Sequence, residues 1–213
     1  MGKAKDGVFG GVTGKVGNLV GYYLNGQYIL RSAPGKRRRK GKLGEKENRK
    51  KFGIAQAWLK PICFFVRVGF KNYGSSTGGY KAAVSYTLLN AIAGEYPNQY
   101  VDPELVQVSG GDLEFPEQVS MELEAENVLR FQWSPASENG DDYDQAMLLA
   151  YDEKGKNIVG KETAAIRIAG TDFLSLNPDV NGATYHIYMG FVAQDRSRQS
   201  KSIYLGKIII PAI

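Results

Sequence analysis

The sequence predicts an α+β protein: a glycine-rich β-arm and hairpin, about three helices, and a C-terminal antiparallel β-sandwich. Three observations lead there. Apolar residues recur at steps of three and four between about residues 45 and 93, the period of a helical face. From Gln118 onward the period falls to two and turn residues punctuate short runs, the pattern of a sandwich. Ahead of both, glycines surround Asn25-Gly26, a strong two-residue hairpin signal because both positions tolerate positive φ. The chain divides accordingly into an arm, hairpin and basic linker (1–43), a helical segment (44–94), a connector (95–117) and the sandwich (118–213).

In the first segment, Val16–Leu24 and Gln27–Ser32 flank the Asn25-Gly26 turn. Alternation puts Val16, Val20, Tyr22 and Leu24 on one face, and Gly17 and Gly21 on the other with Leu19 and Tyr23. Glycine weakens a strand but lets another backbone approach closely. Gly7, Gly10, Gly11 and Gly14 make the preceding arm adaptable. It reads either as a flexible tail leading into a small sheet or as an arm that docks on another subunit by strand addition. On the second reading the subunit contacts are Val16, Val20, Tyr22, Tyr28 and Ile29.

The linker follows, with Pro34, Gly35 and Gly41 around a run of cations. Residues 1–51 hold 14 Lys+Arg against 3 acids, a net of +11, and residues 52–213 hold 13 against 19, a net of −6. A basic front on an acidic body suggests an anionic partner, either nucleic acid or a neighbouring copy. Arg31, Lys36, Arg37, Arg38, Arg39 and Lys40 are the candidate anion contacts, against the plainer reading of a solvated charge run. Few aromatics interleave them, which argues against a stacking platform for single strands.

Phe52, Ala55, Trp58, Leu59, Ile62, Phe65, Val66 and Phe70 form the helical face. Pro61 lacks the N–H that a helix interior needs, so the pattern predicts one helix over about 45–60 and a second over 61–73. A third runs from Tyr80 to about Ala93, with Tyr80, Val84, Leu88 and Ile92 on one face and Gly94 as its stop. Cys63 reads as a packing residue. The connector, rich in Pro and Gly, carries one short strand, Leu105–Ser109. Strands are then expected at about 118–125, 128–134, 144–152, 156–161, 164–175 (broken by Gly170), 184–193 and 200–210. Glu122, Glu124 and Glu126 alternate with Met121, Leu123 and Ala125, which fits the wet face of a strand better than a metal site.

Composition and motif failures exclude much chemistry. One Cys forbids an internal disulfide, and one Cys with one His cannot build a structural zinc site within the chain. Gly10–Lys15 fails as a phosphate loop, because Phe9 stands where its first glycine belongs and Val16 where its hydroxyl belongs. Asp141, Asp142 and Asp144 have the wrong order for a calcium loop and read as a solvated loop. His186 sits on the polar face of a strand with no nucleophile beside it. A carboxylate-only mechanism stays open, but nothing marks a pair. The expectation is no catalytic residue, no cofactor, no metal and no identified small-molecule substrate. No signal-peptide pattern opens the chain, Asp6 breaks the myristoylation pattern, and Lys15 interrupts the apolar run Val8–Leu24. The expectation is therefore no membrane insertion and a cytoplasmic or particle-associated location.

Leu129-Arg130-Phe131-Gln132-Trp133-Ser134-Pro135 resembles the second strand of a fibronectin type III or immunoglobulin-like domain, and Leu176-Asn177-Pro178 with Thr184-Tyr185 is similar to its tyrosine corner. That resemblance covers about 118–210 and implies a scaffold or interaction module rather than chemistry. The whole chain also resembles a family of uncharacterised bacterial proteins. The matching pieces include Gly14–Gly17, Tyr28–Ser32, Gly69–Tyr73, Ala82–Tyr86, Gly110–Leu113 and Tyr188–Val192. The functional expectation is a non-enzymatic, self-assembling homo-oligomer, the subunit of a virion, phage-like particle or filament. The alternative is a nucleic-acid-binding protein acting through residues 31–51.

Overall fold

The computed structural model describes residues 3–4, 10–24, 26–35, 41–73, 78–124, 127–154, 156–176 and 182–210. The chain forms two compact units, Met1–Lys42 and Leu43–Ile213.

The first unit is a four-stranded antiparallel sheet, β1 (Lys3–Ala4), β2 (Val12–Val16), β3 (Leu19–Leu24) and β4 (Gln27–Ser32), in sequential order. The expected hairpin is β3–β4, closing at Leu24↔Gln27 with Gly26 at φ +80°. A second turn, at Gly17 (φ +57°) and Asn18, was not expected. It cuts the anticipated strand in two, so Val16 ends β2 and pairs with Leu19.

The second unit begins with α1 (Leu43–Leu59), α2 (Cys63–Gly69) and α3 (Gly79–Asn90). Pro61 falls between α1 and α2, where no helical N–H is required of it. Of the predicted helical face, Ala55, Trp58, Leu59, Ile62, Phe65, Val66 and Phe70 are buried, whereas Phe52 is 48 % exposed. α3 stops at Asn90, short of the expected end. Ile92–Ala93 (β5) instead pairs with Tyr100–Val101 (β6). The strand expected at Leu105–Ser109 is absent. Its start belongs to a 3₁₀ turn, Pro103–Leu105, capped by the Asp102 carboxylate, which accepts from Glu104 N at 3.0 Å. The rest runs irregularly, its Val108 and Ser109 amides donating to Ser202 Oγ at 2.8 and 3.3 Å.

The sandwich comprises β7 (Ser120–Glu124), β8 (Val128–Gln132), β9 (Gln145–Asp152), β10 (Asn157–Lys161), β11 (Thr171–Ser175), β12 (Thr184–Val192) and β13 (Ile203–Ile209). Three strands, β11-β8-β7, face four, β10-β9-β12-β13, and every pairing is antiparallel. The expected 164–175 strand survives only beyond Gly170, which adopts φ +68° after the 3₁₀ turn Arg167–Ala169.

The central strands of the four-stranded sheet, β9 and β12, are buried on both faces. Ala146, Leu148 and Ala150 of β9 pack toward the three-stranded sheet with Leu129, Phe131, Trp133 and Leu174. Met147, Leu149 and Tyr151, alternating with them, pack toward the helices with Trp58, Phe65 and Val66. Trp58 stands edge-on to Tyr151 at 5.0 Å and to Tyr188 at 6.2 Å. The result is three layers: helices, four strands, three strands. A strand buried on both sides must be apolar at every position, which accounts for the unbroken run Ala146–Tyr151.

Because both cores share β9 and β12, helices and sandwich should unfold together. Trp58 reports on one layer and Trp133 on the other. In Trp58→Phe and Trp133→Phe variants, the remaining fluorescence should give urea midpoints that coincide with each variant's far-UV circular dichroism midpoint. Two separated transitions would contradict the shared core. Leu148→Ala and Leu149→Ala should each cost about 2–5 kcal/mol by the same assay.

Candidate functional site

Directly opposed residues in an antiparallel ladder lie on the same face. In the N-terminal sheet the pairs Gly14↔Gly21, Val16↔Leu19, Gly21↔Leu30 and Tyr23↔Tyr28 therefore define one face, and Lys15↔Val20, Val20↔Arg31 and Tyr22↔Ile29 the other. The first face carries no charged residue. Its Val16, Leu19, Tyr23 and Leu30 are 51, 45, 57 and 53 % exposed. The second carries every cation of the four strands, Lys3, Lys15 and Arg31.

The five sequence-predicted subunit contacts are thereby divided. Val16 and Tyr28 lie on the uncharged face, while Val20, Tyr22 and Ile29 are half-buried on the cationic one, where Arg31 stacks 5.5 Å from the Tyr22 ring centroid. The cause is the Gly17-Asn18 turn. Val16 and Leu19 are three residues apart yet paired, so the alternation is inverted across the turn and Val16 cannot share a face with Val20. Leu19 and Tyr23 share a face with Gly21, as the alternation predicted, and Leu30 joins them by pairing with Gly21; none of the three was among the expected contacts. The signal for the turn was present, since Gly-Asn between two apolar runs is itself a hairpin dipeptide. Of the predicted anion contacts, Arg31 is exposed on the cationic face, and Lys36, Arg37, Arg38, Arg39 and Lys40 lie outside the described residues.

The close approach that Gly21 permits is made within the chain. Tyr28 reaches across β3 and its hydroxyl bridges Val12, accepting from N at 3.0 Å and donating to O at 3.1 Å. A Cβ on Gly21 would lie 1.9 Å from Val12 O and 2.5 Å from the Tyr28 hydroxyl. Tyr23 packs on Tyr28 at 5.4 Å.

In the second unit, Asp144 corrects the reading of 141–144 as a solvated loop. Asp144 is buried and faces the fully buried Arg167, Nη2 to Oδ2 at 3.4 Å. The Arg167 guanidinium also donates to Glu114 O at 2.7 Å and lies 4.7 Å from the Phe191 ring centroid. Its backbone carbonyl accepts from Trp133 Nε1 at 2.8 Å, so the expected sandwich tryptophan is buried and satisfied. Tyr185 is buried too, but its hydroxyl has no hydrogen bond among the described residues, and Asn177-Pro178 of the expected corner lie outside them. Cys63 is half-buried in the helical layer.

His186 accompanies Tyr204, with Nδ1 and the hydroxyl 3.0 Å apart. Burial, reinforced by the Lys207 ammonium, holds its imidazole below the usual 6.5, against the opposing pull of Asp152, Asp102 and Glu104. Among the described residues no group of three or more His, Cys, Asp or Glu could hold a metal, and no helix is long and apolar enough to cross a membrane.

Two outcomes follow from this geometry. Gly21→Ala should break the β2–β3 pairing, seen as accelerated amide exchange across β2 with an unchanged unfolding midpoint for the second unit. A histidine with a depressed folded-state pKa leaves stability intact above 6.5 and lowers it as pH falls below that value. Between pH 7.5 and 5.5 the wild type should therefore lose more urea stability than His186→Gln, and equal losses would contradict the assignment.

Comparison with known proteins gives matches to solved structures at low similarity. The FN1-FN3 domains of chicken CNTN1 are 17 % identical at a TM-score of 0.32, over 47 % of this chain and 33 % of that one. The fn3 domain of human contactin 1 is 15 % identical at a TM-score of 0.31, over 49 % of this chain and 83 % of that one. No curated protein matches. The C-terminal half is a fibronectin type III-like sandwich by its own strand order, three antiparallel strands against four. Over residues 11–206 the sequence matches a family of unknown function (DUF6266), and the chain belongs to that family.

Proposed function

We propose that the protein is a non-enzymatic structural subunit that self-assembles through its N-terminal segment, residues 7–33, in a virion, phage-like particle or filament. One observation carries this reading: a single-layer sheet forms a compact unit of its own and exposes an apolar face without charge. A sheet with an apolar face gains its stability by burying that face against another layer. A second copy supplies one in kind, and an uncharged face adds no like-charge repulsion to the contact. The outer edge of β4 offers backbone groups for strand pairing as a further contact. The basic front and acidic body favour copies approaching one another.

Size-exclusion chromatography with light scattering and negative-stain imaging test the proposal. Concentration-dependent oligomers or particles are expected. Leu19→Asp with Leu30→Asp should weaken association by about 100-fold, the cost of burying unpaired carboxylates, and deletion of residues 1–42 should abolish it. A monomer at high concentration, indifferent to both changes, would refute assembly.

The grouping of Lys3, Lys15 and Arg31 on one face favours a second reading, contact with nucleic acid through that face and residues 31–51. Nuclease-treated protein should then bind DNA or RNA with an affinity that falls with salt, and replacing Arg37, Arg38 and Arg39 by Ala should flatten the slope. Absence of salt-dependent binding would eliminate this reading.

A further inference from the structure

The sandwich has four edge strands, β10, β11, β13 and β7. On one side β10 and β11 are tied together, because Lys161 Nζ donates to Asp172 Oδ1 at 3.0 Å and to Phe173 O at 2.7 Å. β13 shifts register beside Gly206 (φ +111°) and carries Lys207, both common ways of blunting an edge. β7 keeps an unshifted register over five pairs, Ser120↔Gln132 to Glu124↔Val128, and among the described residues β8 is its sole partner strand. Its outer face holds Glu122 and Glu124, and exposed Glu117 stands just ahead of it. Arg130, opposite Glu122, lies 3.6 Å from Glu124, so one cation meets three carboxylates. Residues 117–126 contain four Glu and no Lys or Arg. On the core face Leu123 is 45 % exposed although its ladder partner Leu129 is fully buried, so the core is open along this margin.

β4 ends the N-terminal sheet as β7 ends its own. It carries Ile29 and Arg31 on one face, Tyr28 and Leu30 on the other. Residues 1–42 hold 10 Lys+Arg against one acid, a net of +9, and six of those cations follow β4 within residues 36–42. Charge on an edge blocks pairing with a like edge and admits one of opposite sign. Two β7 edges therefore repel, as do two β4 edges, and β4 with β7 is the pairing left. Both faces match at once. Side chains alternate along each strand, so a register that sets Arg31 beside Glu122 and Glu124 also sets Leu30 on the side of Leu123. A slip by one residue loses both contacts.

We propose that β4 of one copy adds to β7 of a second copy and extends its three-stranded sheet. This rests on the assembly reading and supplies what that reading needs for growth. A contact between two like faces closes at two copies. A contact between two different surfaces leaves an unused β7 on one copy and an unused β4 on the other, so it repeats into a filament or a ring.

Sedimentation velocity and hydrogen exchange on the full-length protein, each across a concentration series, test the pairing. Amides of residues 27–32 and 118–124 should gain protection together as oligomers form. Glu122→Lys and Arg31→Glu should each weaken association by about three- to tenfold, the effect of turning a cross-strand pair of opposite charges into a like pair. Both residues are exposed, so neither change should move the unfolding midpoint. The double variant should recover most of the loss, which a general surface effect would not do. A wild type that stays monomeric removes the assembly reading and this pairing with it. Oligomers that form without protection at 118–124, that are indifferent to Glu122→Lys, or that the double variant fails to restore overturn the pairing and leave the assembly reading standing. Protection of both segments already present in the monomer overturns it as well, since β4 would then pair within its own chain.

Discussion

Double-sided burial of the four-stranded sheet is the constraint on which the second unit depends. A sheet covered on one face can spend alternate residues on solvent. Here β9 and β12 cannot, because the odd and even positions of each strand serve different cores. The helices therefore extend a three-against-four sandwich by a third layer rather than standing as a separate domain. Burial of Met147, Leu149, Tyr151 and Tyr188 on the helical side removes large apolar and aromatic surfaces from water, at about 25 cal/mol per Å² of apolar area.

Adding a third layer creates a packing problem at its seam, and small residues solve it. The segment from Val106 to Leu113 passes close to α2 and β12. A Cβ on Gly69 would sit 2.2 Å from Val108 O, and one on Gly190 would sit 2.4 Å from Ser109 Oγ. A side chain at Gly69 would push the helix off the connector's backbone, whereas one at Gly190 would first displace the Ser109 hydroxyl. Backbone polar groups are satisfied in the same place, with Gly110 N donating to Gly69 O at 3.0 Å and Ser202 Oγ accepting from the Val108 and Ser109 amides. The stretches Gly69–Tyr73, Gly110–Leu113 and Tyr188–Val192, which carried the family resemblance, all lie along this seam.

What was legible in the sequence was whatever repeats locally. Three helices and seven sandwich strands could be placed from period and turn residues, because those signals act over a few positions. Relations between distant segments could not. The strand at about 144–152 was expected, but nothing local told that its second face would be covered by helices nearly a hundred residues earlier. Asp144 read as solvated because its partner Arg167 comes 23 residues later and nothing near Gly140 predicts a buried cation. In the N-terminal sheet the difference is one of parity. One unrecognised Gly-Asn turn moved Val16 to the face opposite Val20 and Tyr22, so the expected contact residues lie on two faces.

The two units also differ in what completes them. In the second unit β9 and β12 are covered on both faces, and the buried Arg167 faces a carboxylate, a carbonyl and an aromatic ring. The first keeps its ladder hydrogen bonds and the Tyr28 bridge over Gly21, yet its largest apolar side chains stay about half exposed. Backbone hydrogen bonds exchange partners with water on folding and contribute little net free energy each. Such a sheet is thus held chiefly by short-range order and lacks the burial that stabilises the rest of the chain. In the proposed assembly, a second copy covering the face of Leu19, Tyr23 and Leu30 would add the missing hydrophobic stabilisation to the sheet itself, so that docking and ordering of the N-terminal unit would be thermodynamically one event.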